Sequence, residues 1–585
     1  MFSNRGDGAV VSGESVAPLL GDTEFNEEVE FVEGVVNYKG YPVIRSKYGG
    51  WRSASFIIGV EVAERFAYYG ISSNLITYLT GPLHQSTAKA AENVNVWSGV
   101  ASMLPLIGAF VADSYLGRYR TILFSSLLYV LALGLLTLSA VLPFPSSPDC
   151  PDNENNSSCS SPSILQVIFF FFSLYLVAVA QSGHKPCVQA FGADQFDERD
   201  PVESKSKSSF FNWWYFGLCA GTAVTLFVLN YIQDNLNWGL GFGIPCLSMA
   251  VALVVFLLGT STYRYNFRED EKSPFVRIAQ VFVAAAKNRR TTTSSLLALE
   301  ETKTTSDHQF KFLDKALTSE SVNSVDLGKD WEVCSVSQVE DAKMVLRLVP
   351  IWATCLLYAI VFAQSSTFFT KQGSTMDRSM GSSFKIPAAT LQTFISLSIV
   401  LFMPIYDRIF VPVARSITGK PSGITMLQRI GCGMFLSVIS MVVAALTETQ
   451  RLKIAQDSGL VDIPTATVPM SVWLLAPQYI LFGISDVFTM VGLQEFFYDQ
   501  VPSGLKSLGL ALYLSIFGIG NFLSSFLISV IEMATSGAGQ DSWFSNNLNR
   551  AHLDYFYWLL AGLSAFELAA YLYFAKSYRY RGSTI

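Results

Sequence analysis

The segment GVEVAERFAYYGISSN, residues 59–74, places Glu61, Glu64 and Arg65 inside the first long apolar run of the chain. At i, i+3 and i+4 of a helix these three side chains share one face, with Tyr68 and Tyr69 a turn further on. Charge at membrane depth is costly, so such residues face a bundle interior or a polar path and are functional by default. Two carboxylates against one guanidinium leave one acid without a counter-charge, and such an acid can exchange protons. The plainer alternative is a buried ion pair that only fixes helix packing.

The surrounding composition sets the class. Half of the 585 residues are hydrophobic and only 15% are charged, with 44 Phe, 25 Tyr and 10 Trp. Mean hydropathy is +0.36. A typical soluble domain carries about 25% charged residues. The pattern predicts an all-α, multi-pass membrane protein with twelve spans, near 54–80, 93–115, 120–143, 164–184, 208–232, 237–262, 343–370, 386–406, 425–447, 469–492, 507–532 and 553–575. Loops bearing Arg118/Arg120, Lys205/Lys207, Arg408/Arg415/Lys420 and Lys506 alternate with poorly basic ones. By the positive-inside rule both termini are then cytosolic. The loop 144–163 falls outside or in a lumen. It carries overlapping glycosylation sequons at Asn155 and Asn156, and Cys150 and Cys159, which can pair there. No secretory signal peptide is apparent.

The polar stretch 263–340 divides the spans into two groups of six. The expected organisation is a cytosolic tail (1–50), a six-helix bundle (51–262), a cytosolic linker (263–340), a second six-helix bundle (341–578) and a short cytosolic tail (579–585). The linker opens with SPFVRIAQVFVAAAKNRR, residues 273–290, an amphipathic helix expected to lie on the membrane surface, or else to pack against the bundle. The remainder of the linker reads as mobile. Both groups of six place an Asp at the cytosolic end of a helix with an Arg close behind, Asp113 with Arg118 and Asp407 with Arg408. Such repetition is the mark of an internal duplication, and these four residues read as gate or packing residues of a rocker-switch transporter.

Further ionisable groups lie at depth. Lys185, in QSGHKPC, is the expected partner of the spare carboxylate and can hold an anionic substrate. His184 reads as a packed polar residue or a pH sensor. Asp486 is the clearest acid of the second half, and Gln364 lies in the seventh span. Glu532 and Glu567 have no assigned partner. There is no P-loop, metal-ligand cluster or nucleophile elbow, so the reading is not an enzyme, needs no cofactor and draws on an ion or proton gradient. The partners expected are a small-molecule substrate, protons and the lipid bilayer, with no nucleic acid. The oligomeric state stays open.

Several long motifs run through the chain: EVAERFAYYG (61–70), GAFVADSYLGRYRTI (108–122), KPCVQAFGADQFD (185–197), FFNWWYF (210–216), LRLVPIW (346–352), DRIFVP (407–412), GITMLQRIG (423–431), PQYILFGISDVFT (477–489) and EFFYDQVP (495–502). From about residue 34 onward the sequence resembles the plant nitrate/peptide transporter family, also called proton-dependent oligopeptide transporters. The resemblance implies a major-facilitator fold of twelve helices and proton-coupled symport. It assigns Glu61, Glu64, Arg65 and Lys185 to proton coupling and Tyr68 and Tyr69 to the substrate.

Departures from the family pattern bear on the cargo. Cys219 stands where peptide-carrying members have Asn, Asp486 where they have Glu, and Phe362 where a nitrate-binding His is known. Cys219, Phe362, Gln364 and Asp486 join the expected substrate site, with Phe368, Trp213 and Trp214 nearby. The expected cargo is nitrate or a small organic anion, such as a specialised metabolite. The alternatives are a di- or tripeptide symporter and a nutrient sensor acting through the cytosolic face, with Thr121 in an RxxT pattern as a phosphorylation site. GESVAPLLGDTE, residues 13–24, resembles an acidic dileucine signal, so the membrane is either the vacuolar or the plasma membrane.

Overall fold

The computed structural model describes residues 30–142, 162–197, 199–266, 274–287, 310–317, 334–381, 384–419, 424–501, 506–537, 542–578 and 580. Asn155, Asn156, Cys150, Cys159 and the dileucine segment lie outside the described residues. So do the side chains of Asp113 and Asp407.

The first bundle contains α1 (Gly50–Ser72), α2 (Leu75–Thr80), α3 (Thr87–Val111), α4 (Arg118–Val141), α5 (Ile164–Ala193), α6 (Pro201–Asn235) and α7 (Trp238–Gly259). The linker supplies α8 (Pro274–Lys287). The second bundle contains α9 (Val336–Ala353), α10 (Leu356–Ala363), α11 (Phe368–Ser374), α12 (Thr393–Ile405), α13 (Val411–Thr418), α14 (Met426–Asp457), α15 (Ala476–Asp499), α16 (Lys506–Thr535) and α17 (Leu553–Ser577). Helix starts follow local sequence. Asp200 caps α6 ahead of Pro201, and Ser335/Gln338 and Thr425/Gln428 form capping boxes on α9 and α14.

Among the described residues, nine helices are long and apolar enough to cross a membrane. A tenth span is the pair Val336–Ala353 and Leu356–Ser374, bent by 46°. The charges Glu61, Glu64 and Arg65 keep α1 out of that apolar class, and α6 includes residues whose side chains lie outside the described set. Both nevertheless pack side by side within the first bundle, and the twelve-span expectation needs these two as well. The chain is an integral multi-pass membrane protein.

The halves meet along α3 with α16 and along α6 with α12. A Cβ on Gly99 would stand 3.0 Å from the Gly518 carbonyl oxygen, so α3 and α16 can cross this closely only because both positions lack a side chain. Polar bonds between the halves gather at the extracytosolic ends. Lys371 Nζ donates to Thr80 Oγ1 (3.0 Å), Gln392 Nε2 to the Ser73 carbonyl (2.9 Å), Ser529 Oγ to Glu92 (2.6 Å) and the Thr87 N–H to Asn546 Oδ1 (2.9 Å). These bonds tie the two halves together at that end.

The linker corrects two expectations. The apolar face of α8, with Ile278, Val281, Ala284 and Ala285, is covered by Leu313, Ala316, Val339, Ala342 and Val345. Protein, not lipid, takes that face, and the alternative of packing on the bundle holds. A 3-10 turn, Lys311–Leu317, also docks in what reads as mobile linker, tied by Lys343 to Asp314 at 2.8 Å.

The end of the N-terminal tail is folded too. Strands β1 (Phe31–Val36), β2 (Pro42–Ile44) and β3 (Tyr265–Asn266) form a sheet in the order β2-β1-β3. Buried Arg264 clamps it, reaching both Glu203 oxygens (2.6 and 3.0 Å) and the Tyr48 carbonyl (3.0 Å). Gly49 sits at φ +78°, and a Cβ there would overlap the Arg264 side chain.

Candidate substrate and proton-coupling site

Glu61, Glu64 and Arg65 lie on the inner face of α1 and are buried. One guanidinium faces two acids: Arg65 Nε donates to Glu61 Oε1 at 2.8 Å, and the same nitrogen lies 3.1 Å from Glu64 Oε2 as an ion pair without a hydrogen bond. Gln181 Nε2 of α5 donates to Glu64 Oε1 at 3.2 Å. Glu61 Oε2 and Glu64 Oε2 have no hydrogen-bond partner among the described residues. The Arg65 Nη groups likewise make no protein hydrogen bond among them.

Lys185 differs from expectation. It does not hold the spare carboxylate, since Gln181 stands there instead. Its Nζ lies 5.9 Å from the centre of the Tyr68 ring, and it has no ion pair among the described residues. Tyr68 is stacked on Trp97 (5.7 Å) and meets Tyr69 edge-on (5.4 Å). Trp97 is fixed in turn by its bond to the Leu174 carbonyl at 3.0 Å. Two cations and two tyrosines thus border the same interior.

Across the bundle, Asp486 on α15 is buried and accepts from Tyr358 Oη at 2.5 Å. Phe362 packs against Phe482 (5.8 Å) and Phe517 (5.5 Å) on the same side. Gln364 belongs elsewhere. It is fully buried and bonded to the Ile360 carbonyl (2.7 Å) and Ser524 Oγ (3.2 Å), and Asn95 donates to that same hydroxyl at 3.0 Å. Gln364 therefore belongs to the seal between the halves. Cys219 lines a lateral apolar cavity of about 340 Å³ between α6 and α12, with Phe227, Leu391, Phe394 and Trp473. The other aromatic residues expected nearby are dispersed. Phe368 stacks on Phe544 (4.8 Å), Trp214 packs on Phe210 (5.6 Å), and Trp213 is exposed.

At the cytosolic ends, Arg118 Nη1 is 2.5 Å from Asp194 Oδ2, a partner that the sequence did not suggest. In the other half Arg408 is exposed. The organised cation there is Arg429, which sits over the Tyr406 ring (4.2 Å) and donates to the Val487 carbonyl (3.0 Å). Thr121 is buried, with its hydroxyl given to the Gly117 carbonyl at 2.9 Å, so it is not presented as a surface for modification. The unassigned acids also find partners. Glu567 accepts the Leu357 N–H (2.7 Å) at the break between α9 and α10, and Glu532 accepts from Ser542. Only the long motifs around Asp194 and Arg429 could have drawn attention to these residues.

The family model described as POT family matches residues 119–544. The chain belongs to the POT family. It is 67% identical over 547 residues to Protein NRT1/PTR FAMILY 5.10 of Arabidopsis thaliana, covering 93% of this chain and 95% of that protein. It is 59% identical over 575 residues to Protein NRT1/PTR FAMILY 5.12 of the same plant, covering 96% and 99%. Its fold is similar to that of an auto-inhibited POT family peptide transporter (TM-score 0.68, 20% identity, 91% and 98% covered). It is also similar to a POT family transporter in complex with 5-aminolevulinic acid (TM-score 0.60, 18% identity, 90% and 96% covered). The fold is thus the major-facilitator fold, and the protein is a transporter, not an enzyme.

Proposed function

We propose that this POT family member is a proton-coupled symporter of nitrate or a small organic anion, working by alternating access without a cofactor. The observation that carries this reading is the charge balance at α1 and α5. With both acids ionised, Glu61 and Glu64 offset Arg65 and Lys185. Protonation of one acid leaves a net positive site beside Tyr68 and weakens the hold on Arg65, whose Nη groups can then take an oxyanion. The halves rock, and proton loss to the cytosol restores the carboxylate and releases the anion.

The short Tyr358–Asp486 bond supports an anion over a peptide. An acid that meets a peptide's ammonium must be free to do so, and this one is engaged. Each positive charge moved inward across a plasma membrane gains about 2.3 kcal/mol per 100 mV, so two protons with a monovalent anion gain from the voltage and one does not. The vacuolar and plasma membranes are both compatible with this chemistry.

The test is uptake at pH 5.5 and 7.5 over nitrate, dipeptides and organic anions, with Lys185→Ala alongside. Acid-stimulated uptake of an anion, lost in Lys185→Ala, is expected. Dipeptide uptake that survives the substitution while anions fail would overturn the reading.

A further inference from the structure

Between α1, α4 and α5, behind the Glu64 carboxylate, lies a group of polar atoms without a protein hydrogen-bond partner among the described residues. They are Tyr129 Oη, both ring nitrogens of His184, Gln181 Oε1 and Glu64 Oε2. Tyr129, His184 and Glu64 have 0% exposure and Gln181 has 1%, so bulk water does not reach them. The Tyr129 and His184 rings are 6.3 Å apart, edge to face. Gln181 stands one turn before His184 on α5 and donates to Glu64 Oε1 at 3.2 Å, which brings the group against the carboxylate. Tyr129 and His184 are each within electrostatic reach of Glu64 and Arg65.

Buried polar groups in folded proteins nearly always have a partner, and where protein offers none the partner is ordered water making about three hydrogen bonds. Tyr129 Oη, the His184 nitrogens and Gln181 Oε1 offer both donors and acceptors. We propose that these atoms enclose ordered water against Glu64. Tyr129 and His184 are then positioning residues that keep this carboxylate hydrated and set the pH at which it takes up and releases the proton. The proposal rests on the proton-coupling reading. The other charged or titratable groups within electrostatic reach of Glu64 are Glu61, Arg65, Tyr68 and Tyr69 on α1 and Lys185 on α5.

The sign follows from solvation. A carboxyl group that loses its water keeps its proton to higher pH. Replacing the pocket by apolar groups, Tyr129→Phe with His184→Leu, should move the pH midpoint of uptake upward by about one unit. His184→Gln keeps a donor and an acceptor for water and should leave the midpoint in place. A double variant with normal membrane abundance and an unmoved midpoint would overturn the positioning role. So would a shift in His184→Gln as large as in the double variant, since imidazole titration would then be the cause. If the double variant does not reach the membrane, Tyr129→Phe alone should shift the midpoint in the same direction by a smaller amount. Hydroxyl-radical labelling of the wild-type transporter tests the water separately from transport. Tyr129 and His184 should be modified well above Phe170, a fully buried apolar ring. Labelling no greater than at Phe170 would show a dry pocket and end the proposal. Wild-type uptake without pH dependence would remove the coupling reading and the positioning role together, even where the water is labelled.

Discussion

At the cytosolic end of its second long helix each half carries a π-turn, Ala112–Leu116 in one and Tyr406–Phe410 in the other. Beside it, in each half, an arginine near the start of the next helix reaches the helix after that. Arg118 reaches Asp194, and Arg429 reaches the Val487 carbonyl and Glu495 (3.4 Å). The centres of the halves do not repeat one another. In the first, two buried carboxylates stand against one arginine, Arg65. In the second, three buried acids each have a partner of their own: Asp486 has Tyr358, Glu567 has the Leu357 N–H, and Glu448 has Arg451 (2.6 Å). A fourth, Asp554, leaves its Oδ1 without a hydrogen-bond partner among the described residues, 3.9 Å from His552 Nδ1. The two halves share this cytosolic-end scaffold, and the proposed mechanism places the moving proton in the half where two acids stand against one arginine. On that proposal, acids matched one to one hold structure, and acids in surplus exchange.

Breaking a matched pair should cost the most. Arg451 is fully buried and also donates to the Leu548 carbonyl (2.7 Å) and Asn549 Oδ1 (2.8 Å). Arg451→Leu leaves Glu448 uncompensated, with an expected loss of about 3–5 kcal/mol. Thermal unfolding in detergent and abundance in membranes measure this directly. A variant as stable as wild type would show that Glu448 is neutral in place, and the one-to-one rule would fail.

Glu64→Gln removes the surplus instead. Stability should stay within about 1 kcal/mol, because a competitor for Arg65 is lost and an amide can still bond Gln181. Proton-driven accumulation should fall at least tenfold, on the order of the loss of one coupling group, while counterflow at equal pH persists. Equal loss of both activities would assign Glu64 to packing.

Glu567→Ala addresses the hinge. Its carboxylate caps the short helix α10 at the 46° bend, the role of an N-cap acid supplied from another helix. The expected destabilisation is about 1–2 kcal/mol, typical of a lost cap. Glu567→Gln, which still accepts from the Leu357 N–H, should recover most of it. No recovery in the Gln variant would mean that the charge, not the acceptor, matters at the bend.

The sequence announced this fold clearly where apolar runs were long, as in α4, α5 and α14. Pattern alone did not place the breaks. Thr354 and Cys355 interrupt a run that reads as one span, because a distant Glu567 satisfies the opened backbone. The faces of α1 followed from spacing, so Glu61, Glu64, Arg65, Tyr68 and Tyr69 were legible together. Partners from other helices were not. Gln181 took the place expected of Lys185, and Gln364 joined the inter-half seal through Ser524, contacts that no local pattern encodes. The α8 face could be read as amphipathic, but whether lipid or protein covers it depends on residues 310–317 and on α9. The clamp of Arg264 on Glu203 joins positions 61 apart in sequence and carries no periodic signal.

Tyr358→Phe should have the smallest effect and sharpens the comparison furthest. It removes one hydroxyl and leaves the ring stacked on Phe482 at 6.1 Å. The lost bond is worth about 0.5–1.5 kcal/mol by usual hydrogen-bond measures. The consequence lies in selectivity. Freed from Tyr358, Asp486 becomes a second unmatched acid, now in the other half. It should weaken anion uptake two- to threefold, on the order of one surface-scale charge contact, and give ammonium-bearing substrates such as dipeptides a measurable foothold in competition assays. Asp486→Asn combined with Tyr358→Phe should remove that foothold and restore anion uptake. If Tyr358→Phe leaves the competition profile unchanged, pairing does not control which acids meet cargo, and the contrast between the halves reduces to one of stability alone.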